Sequence, residues 1–324
     1  MPPVFLAVAE TVDGRLTKLS AEIATLARVL ADESGGAALG LVVDGAPDAA
    51  AAELATYVPR VLAVTDGGVA NDTWAPHAAA AANALIGEGV THILAGATAD
   101  GRDLAGTLVG LLGWGLLANA TGVTWDGAGP RVTASVLGGK AITASTLAQG
   151  TGIVTVQLNA VTAEAAPAPG IVEARAAVAP VTPAAVVLDR VSEAGAEASL
   201  EEARVVIVGG RGVGGPEGFA LVDELAAALG GVVGATRASV DAGWIAYARQ
   251  IGQTGKVVKP ALYLGLGVSG AMQHRVGMQA AETIVAVNRD ADAPIGEIAD
   301  LFVVGDLFEV GPALLTELRS RRGA

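Results

Sequence analysis

Residues 261–274 read "ALYLGLGVSGAMQH": an apolar run, then Gly265, Gly267 and Gly270 in the spacing G-x-G-x-x-G, then Gln273 and His274. A short apolar segment that ends in a glycine turn and opens a helix is the basic junction of a parallel α/β sheet. Backbone N–H groups gather at such a turn and suit a phosphate. The spacing predicts a helix from about Ala271 to Thr283. Whether the phosphate belongs to NAD or to another nucleotide depends on the residues around it.

Outward from this stretch the same alternation continues. "RVVIVGG" (204–210), a helix near Gly218 to Leu229 and "GVVGAT" (231–236) come before it, and "TIVAVN" (283–288) and "LFVVGD" (301–306) follow. Nearly all-apolar strands between helices imply a doubly wound parallel sheet covered on both faces, here a C-terminal domain over about 200–324. A Pro/Ala-rich stretch, Ala163 to Pro183, precedes it, and the domain boundary is expected between Val187 and Glu202.

The N-terminal domain, 1–190, has "VFLAVAE", a helix from about Leu16 to Ala31, "ALGLVVD", "RVLAVT", a helix near His77 to Ile86, and "THILAG". That is a second parallel α/β sheet. After Gly122 the texture changes, and "RVTASVL", "KAITAST" and "GIVTVQL" read as antiparallel strands appended to it. Leu104 to Ala118, "LAGTLVGLLGWGLLA", is too short for a bilayer and carries four glycines, so it reads as a buried helix.

Composition narrows the functional classes. The chain has 324 residues and a formal net charge of −13, which repels a nucleic-acid backbone. The cluster Arg319, Arg321 and Arg322 suits the negative end of a terminal helix. There is no cysteine, so disulfides, thiolate catalysis, iron–sulfur clusters and zinc–thiolate sites are excluded. No basic leader and no bilayer-length apolar run are present, which gives an expectation of a cytoplasmic protein without membrane insertion. His77 and His92 have no ligand-spaced partner, so no metal site is expected, and the four tryptophans read as packing residues.

Polar residues concentrate at the expected strand ends: "GGRGVGG" (209–215), "ATRASVDAG" (235–243), "GVSGAMQH" (267–274) and "NRDADAP" (288–294), with "GQTGK" (252–256) between two of them. A P-loop fails, because Lys256 is followed by Val257 and Gln250 stands where the first glycine belongs. An NAD turn gains Asp290, 20 residues beyond Gly270, as a ribose partner. Against it, the turn would follow the domain's fourth strand rather than its first, and no hydride-transfer site accompanies it. A flavin dinucleotide is the alternative. Arg237, Gln253, Thr254 and His274 supply the charge and hydrogen-bond partners that an isoalloxazine ring needs.

The segment "QTGKVVKPALYLGLGVSGAMQHRVGMQAAETIVAVNRDADAPIGEIADLFVVGDLFEVGPAL", with "GGRG" and "TRASVDAGW" before it, resembles the C-terminal signature of the α subunit of electron transfer flavoproteins. Five loops match in order and spacing; the N-terminal domain matches in layout and length. The resemblance implies FAD in the C-terminal domain and a heterodimer with a β subunit, for which the N-terminal domain would be an assembly surface. It implies an electron carrier with no catalytic residue of its own. Acyl-CoA or related dehydrogenases of fatty acid β-oxidation would be donors, and a membrane-associated quinone oxidoreductase the acceptor. An electron-bifurcating flavoprotein subunit is the alternative within the family, and an NAD-dependent Rossmann oxidoreductase the alternative outside it.

Carried onto this sequence, the resemblance places Arg211 on the nucleotide half of FAD, with Thr236 where serine is common. Arg237 would lie over the flavin ring, with Gln253 and Thr254 at its edge and Thr254 near N5. Ser269, Gly270, Ala271, Met272 and Gln273 would hold ribityl and phosphate groups. His274 would face the C2 carbonyl, donating a hydrogen bond or carrying a proton, and Asn288, Asp306 and Leu307 would fix the adenosine end.

Overall fold

The computed structural model describes residues 2–137, 141–180, 185–189, 200–201 and 203–322. Contacts divide the chain into two compact units, Met1–Ser192 and Glu193–Ala324.

The first unit is built on a seven-stranded sheet. Its order across the sheet is Ile171–Ala176, Arg60–Thr65, Ala37–Asp44, Val4–Ala9, His92–Gly96, Gly152–Val156 and Gly115–Ala120. Every pairing in it is parallel. Alternate side chains of the central strand enter two separate cores. Phe5, Ala7 and Ala9 meet Ile23, Ala27 and Leu30 of the helix Lys18–Ser34, while Leu6 and Val8 meet the helices Trp74–Ala84 and Ala99–Leu112. The first of these helices starts where Thr17 Oγ1 accepts from the Ser20 N–H and stops at Gly35, whose φ of 65° is left-handed.

Three sequence expectations change here. "GIVTVQL" is not an antiparallel strand. Gly152–Val156 is wholly buried and inserts parallel between His92–Gly96 and Gly115–Ala120, as suits a strand that is apolar on both faces. The appended antiparallel sheet consists of Gly122–Trp125, Pro130–Val136 and Ala141–Thr146. Residues 104–118 are not one helix, because Ala99–Leu112 ends at Gly113 (φ 65°) and Gly115–Ala120 forms the sheet edge. Within the Pro/Ala-rich stretch, Ile171–Ala176 adds the opposite edge strand.

The second unit has five parallel strands, ordered Val232–Ala235, Val205–Gly209, Leu262–Leu266, Ile284–Asn288 and Leu301–Val304. Leu262–Leu266 is the third strand in chain order, not the fourth. The chain leaves Val205–Gly209 toward one side of the sheet and resumes at Leu262–Leu266 on the other, so the topological switch lies between these two strands. Helices Phe219–Leu229 and Leu307–Arg322 cover one face through Val222, Leu225 and Leu315. The other face is covered mainly by irregular chain carrying Ile251, Val258, Met278 and Ile295.

The helix expected from Ala271 to Thr283 is a single turn, Met272–Arg275. The carbonyls that would continue it are taken elsewhere. Gln273 O accepts from the Gln253 N–H at 2.7 Å and Gly277 O from the Val258 N–H at 2.8 Å, which fastens the 252–258 segment to this turn. Among the described residues, no helix is long and apolar enough to cross a membrane.

Candidate functional site

Ligands of open α/β sheets settle at the switch point, beyond the carboxyl ends of the strands, because the flanking loops part there. In the second unit those loops follow Gly209 and Leu266. They are tied to each other at their roots: the Gly210 N–H donates to Leu266 O at 2.9 Å and the Gly212 N–H to Gly267 O at 3.0 Å. Gly267 has φ 63°, and a Cβ there would stand 2.6 Å from Gly212 Cα. Gly270 has φ 77°, and a Cβ there would meet the Ile295 backbone N at 2.4 Å, while the Ile295 N–H donates to Ser269 O. The 267–271 loop is thereby clasped from both sides. Only two glycines of the G-x-G-x-x-G pattern serve the turn, since Gly265 lies inside the strand. With no long helix after it, the segment departs from the NAD fingerprint.

The loops enclose a cavity of about 670 Å³, lined from 211–212, 236–241, 250–254, 267–274 and 288–294. Of the residues singled out by sequence, Arg211, Thr236, Arg237, Gln253, Thr254, Ser269, Gly270, Ala271, Gln273, His274 and Asn288 line it. Met272, Asp306 and Leu307 do not. Met272 is 52% exposed. Asp306 caps the last helix, its Oδ1 accepting from the Phe308 N–H at 2.9 Å and its Oδ2 from Arg289 at 2.6 Å. Those two bonds hold its carboxyl below the usual range, the Phe308 N–H first. Leu307 is buried in the core beside Gly267.

Several side chains in the lining are already oriented. The hydroxyl of Thr254 accepts from the buried Gln250 Nε2 at 2.9 Å, so its own hydrogen remains for another acceptor. The Thr254 carbonyl accepts from Tyr247 Oη at 2.6 Å. Asn288 spends both ends of its amide on the framework, Nδ2 donating to Val268 O at 2.8 Å and Oδ1 accepting from the Asp290 N–H at 3.1 Å. Arg237 Nε pairs with Asp241 Oδ2 at 3.1 Å, but the two side chains are 66% and 60% exposed. Such a pair is worth at most about 1 kcal/mol, and a desolvated ligand can compete for the guanidinium.

His274 lines the cavity yet turns both ring nitrogens into the protein. Nδ1 lies 3.0 Å from Ile251 O and Nε2 2.7 Å from Tyr263 Oη. A carbonyl only accepts, so Nδ1 carries the hydrogen, and in the neutral ring Nε2 accepts from the phenol. Burial lowers the imidazole to about 4, so the ring is neutral near pH 7. In this arrangement the one N–H of the neutral ring is given to Ile251 O.

The other two histidines lie in the first unit. His77 is buried between Asp66 (2.8 Å) and Asp72 (3.3 Å), and His92 stacks on Phe5 with ring centroids 4.9 Å apart. Sequence reading passed over Gln250, which entered only as the missing P-loop glycine although it adjoins the 252–256 loop. Asp290, which also lines the cavity, entered only as the ribose partner of an NAD turn. Ala293 and Pro294 also line the cavity; their loop, 288–294, was legible from its place after a strand, but neither has a polar side chain to single it out.

The lining therefore offers two guanidinium groups, the hydroxyls of Thr236, Thr254 and Ser269, and the amides of Gln253 and Gln273, around backbone held by glycine. That set fits a ligand with phosphates, a polyol and a flat hydrogen-bonding ring, as FAD has.

Residues 199–279 match the family model described as electron transfer flavoprotein FAD-binding domain, and residues 5–187 match the electron transfer flavoprotein domain. Electron transfer flavoprotein subunit alpha of Mycobacterium leprae is 41% identical over 330 residues, covering 98% of this chain and 99% of that protein. The subunit alpha of Thermoanaerobacterium thermosaccharolyticum is 36% identical over 323 residues, 96% of each chain. That of Bacillus subtilis is 33% identical over 316 residues, 97% of each.

Proposed function

The chain belongs to the electron transfer flavoprotein α-subunit family, and from that premise we propose that its second unit holds FAD in the switch-point cavity and ferries electrons between protein partners. The family's members are electron carriers rather than enzymes, so no general acid or base is required. FAD, when bound, supplies the redox chemistry.

The chain's own residues bind and orient. The clasped 267–271 loop, with Ser269 and Gly270, receives the pyrophosphate, and Arg211 neutralises charge on the nucleotide half. Arg237 leaves its exposed pairing with Asp241 for the ring, where a cation favours added negative charge. Thr254, its hydroxyl set by Gln250, has a hydrogen to give at the ring edge. Asn288 keeps the adenosine end of the cavity in shape by bridging Val268 and Asp290.

The chain pairs with a β subunit, takes electrons from acyl-CoA or related dehydrogenases in the cytoplasm and passes them to a membrane-associated quinone oxidoreductase. The observation that carries this reading is the cavity itself: four of its five lining segments lie within residues 199–279, the stretch matching the FAD-binding domain.

Anaerobic mixing of the purified heterodimer with an acyl-CoA dehydrogenase and its substrate tests it. The flavin absorbance of the heterodimer should bleach with a catalytic amount of dehydrogenase and return on addition of a quinone oxidoreductase with quinone. A flavin band that stays unchanged under those conditions contradicts the assignment of donor.

A further inference from the structure

Thr254 stands in a tight turn. The Gly252 N–H donates to Lys256 O at 3.1 Å, the Lys256 N–H to Gln250 O at 2.8 Å and the Gly255 N–H to Gly252 O at 3.0 Å. Only glycine fits at 255, since a Cβ there would stand 2.4 Å from Gln250 O. The peptide plane that joins Thr254 to Gly255 is held at both ends, its N–H by Gly252 O and its carbonyl by Tyr247 Oη at 2.6 Å. Tyr247 reaches this carbonyl from a separate turn, Tyr247–Arg249, is 65% exposed and does not line the cavity. Thr254 does line it, with its hydroxyl accepting from Gln250 Nε2 at 2.9 Å.

We propose that Tyr247 is a positioning residue for Thr254: it fixes the backbone of the residue whose hydroxyl meets the ring edge of the cofactor, without touching the cofactor itself. This rests on FAD occupying the cavity with its ring edge at Thr254. A threonine hydroxyl points where its backbone points it, because a β-branched side chain is stiff at χ1 and turns with the peptide. The bond from Gln250 sets the hydroxyl but leaves the peptide plane beneath it free to tilt. Without Tyr247 that plane keeps a single bond, across a turn that contains two glycines and resists bending weakly. Tyr247 therefore acts on the ring edge from the solvent side, through one hydrogen bond to the main chain.

The test is Tyr247→Phe in the heterodimer; the residue is exposed, so loss of its one oxygen leaves the core intact. Hydrogen exchange at the Gly255 amide needs no flavin. With the heterodimer loaded or stripped, it should quicken about 2- to 10-fold in Tyr247→Phe, the worth of one ordinary hydrogen bond. In the loaded heterodimer, with FAD carrying ¹⁵N at N5, Tyr247→Phe should move the N5 resonance in the direction that Thr254→Val moves it, and by less. The first one-electron reduction potential should shift in the same sense as in Thr254→Val. In a Thr254→Val background, Tyr247→Phe should add nothing to either.

Unchanged exchange at Gly255 overturns the clamp. An N5 resonance and a potential that ignore Tyr247→Phe, or that respond equally with and without the Thr254 hydroxyl, overturn its role toward the cofactor. Failure of the FAD reading shows separately, as a heterodimer with no flavin absorbance in which Gly255 exchange still responds to Tyr247→Phe.

Discussion

His92 shows how a single side chain ties the fold to pH. It is 2% exposed, stacked on Phe5 and edge-on to Trp125, and its Nε2 has no hydrogen-bond partner among the described residues. Burial lowers it from 6.5 to about 4, as it does His274. A depressed folded pKa means that the unfolded chain binds more protons between these values. Its contribution is complete above pH 6.5 and is lost as pH falls toward 4, at up to about 1.4 kcal/mol per pH unit for each group. His92→Phe should therefore flatten the decline in denaturation midpoint between pH 7 and pH 5 while changing little at pH 8. Thr91 Oγ1, the partner of Nδ1, stays satisfied by the Val4 backbone. Chemical denaturation across that range checks it, and an unchanged slope would mean that the ring is already hydrated. At Arg237 the expectation concerns binding. Arg237→Ala should weaken FAD by about 10- to 100-fold, the worth of a charge-assisted hydrogen bond of about 1.5–3 kcal/mol. Arg237→Lys should restore part of this, because it returns the charge but not the planar face. Fluorescence titration with FAD measures both.

Among the elements, the 267–271 loop has the narrowest tolerance. Gly270→Ala combines a left-handed backbone, at about 1–2 kcal/mol for a non-glycine residue, with a collision at the Ile295 backbone. It should cost at least tenfold in FAD affinity, measured by equilibrium titration, while an alanine at Gly265, in the strand, is opposed by side-chain contacts rather than by φ. This loop also shows how far sequence could be read. The strand before it, the turn and the polar residues on it follow from local pattern, and so does the location of the site at strand ends. The length of the following helix did not, because Gln273 and Gly277 give their carbonyls to residues 253 and 258, partners that no local pattern reveals. Gly152–Val156 was misread for the same kind of reason. Its apolar run fits a strand, but only tertiary pairing decides that it enters the parallel sheet instead of the neighbouring antiparallel one. His274 was legible as a lining residue and not as a neutral one, since Tyr263 and Ile251 reach it from other elements.

At the scale of the whole molecule, the first unit leaves apolar side chains in water. Leu137 is 78% exposed and Ile142 76%, at the antiparallel sheet, and Ile171 is 69% exposed on the edge strand of the seven-stranded sheet. Exposed edges and apolar side chains of this kind favour association. The chain made without its β subunit should accordingly aggregate or lose flavin, which light scattering with absorbance detection would show; a monodisperse yellow monomer contradicts that. The central claim, FAD in the switch-point cavity of the second unit, is tested most directly by titrating the flavin-stripped heterodimer with FAD and, separately, with NADH. The same titrations are then repeated with Gly267→Val in this chain, where a side chain would strike Gly212. The account predicts saturable FAD binding to the wild type, no NADH binding, and loss of the FAD site in Gly267→Val. NADH binding without FAD binding, or FAD binding indifferent to Gly267→Val, would contradict it.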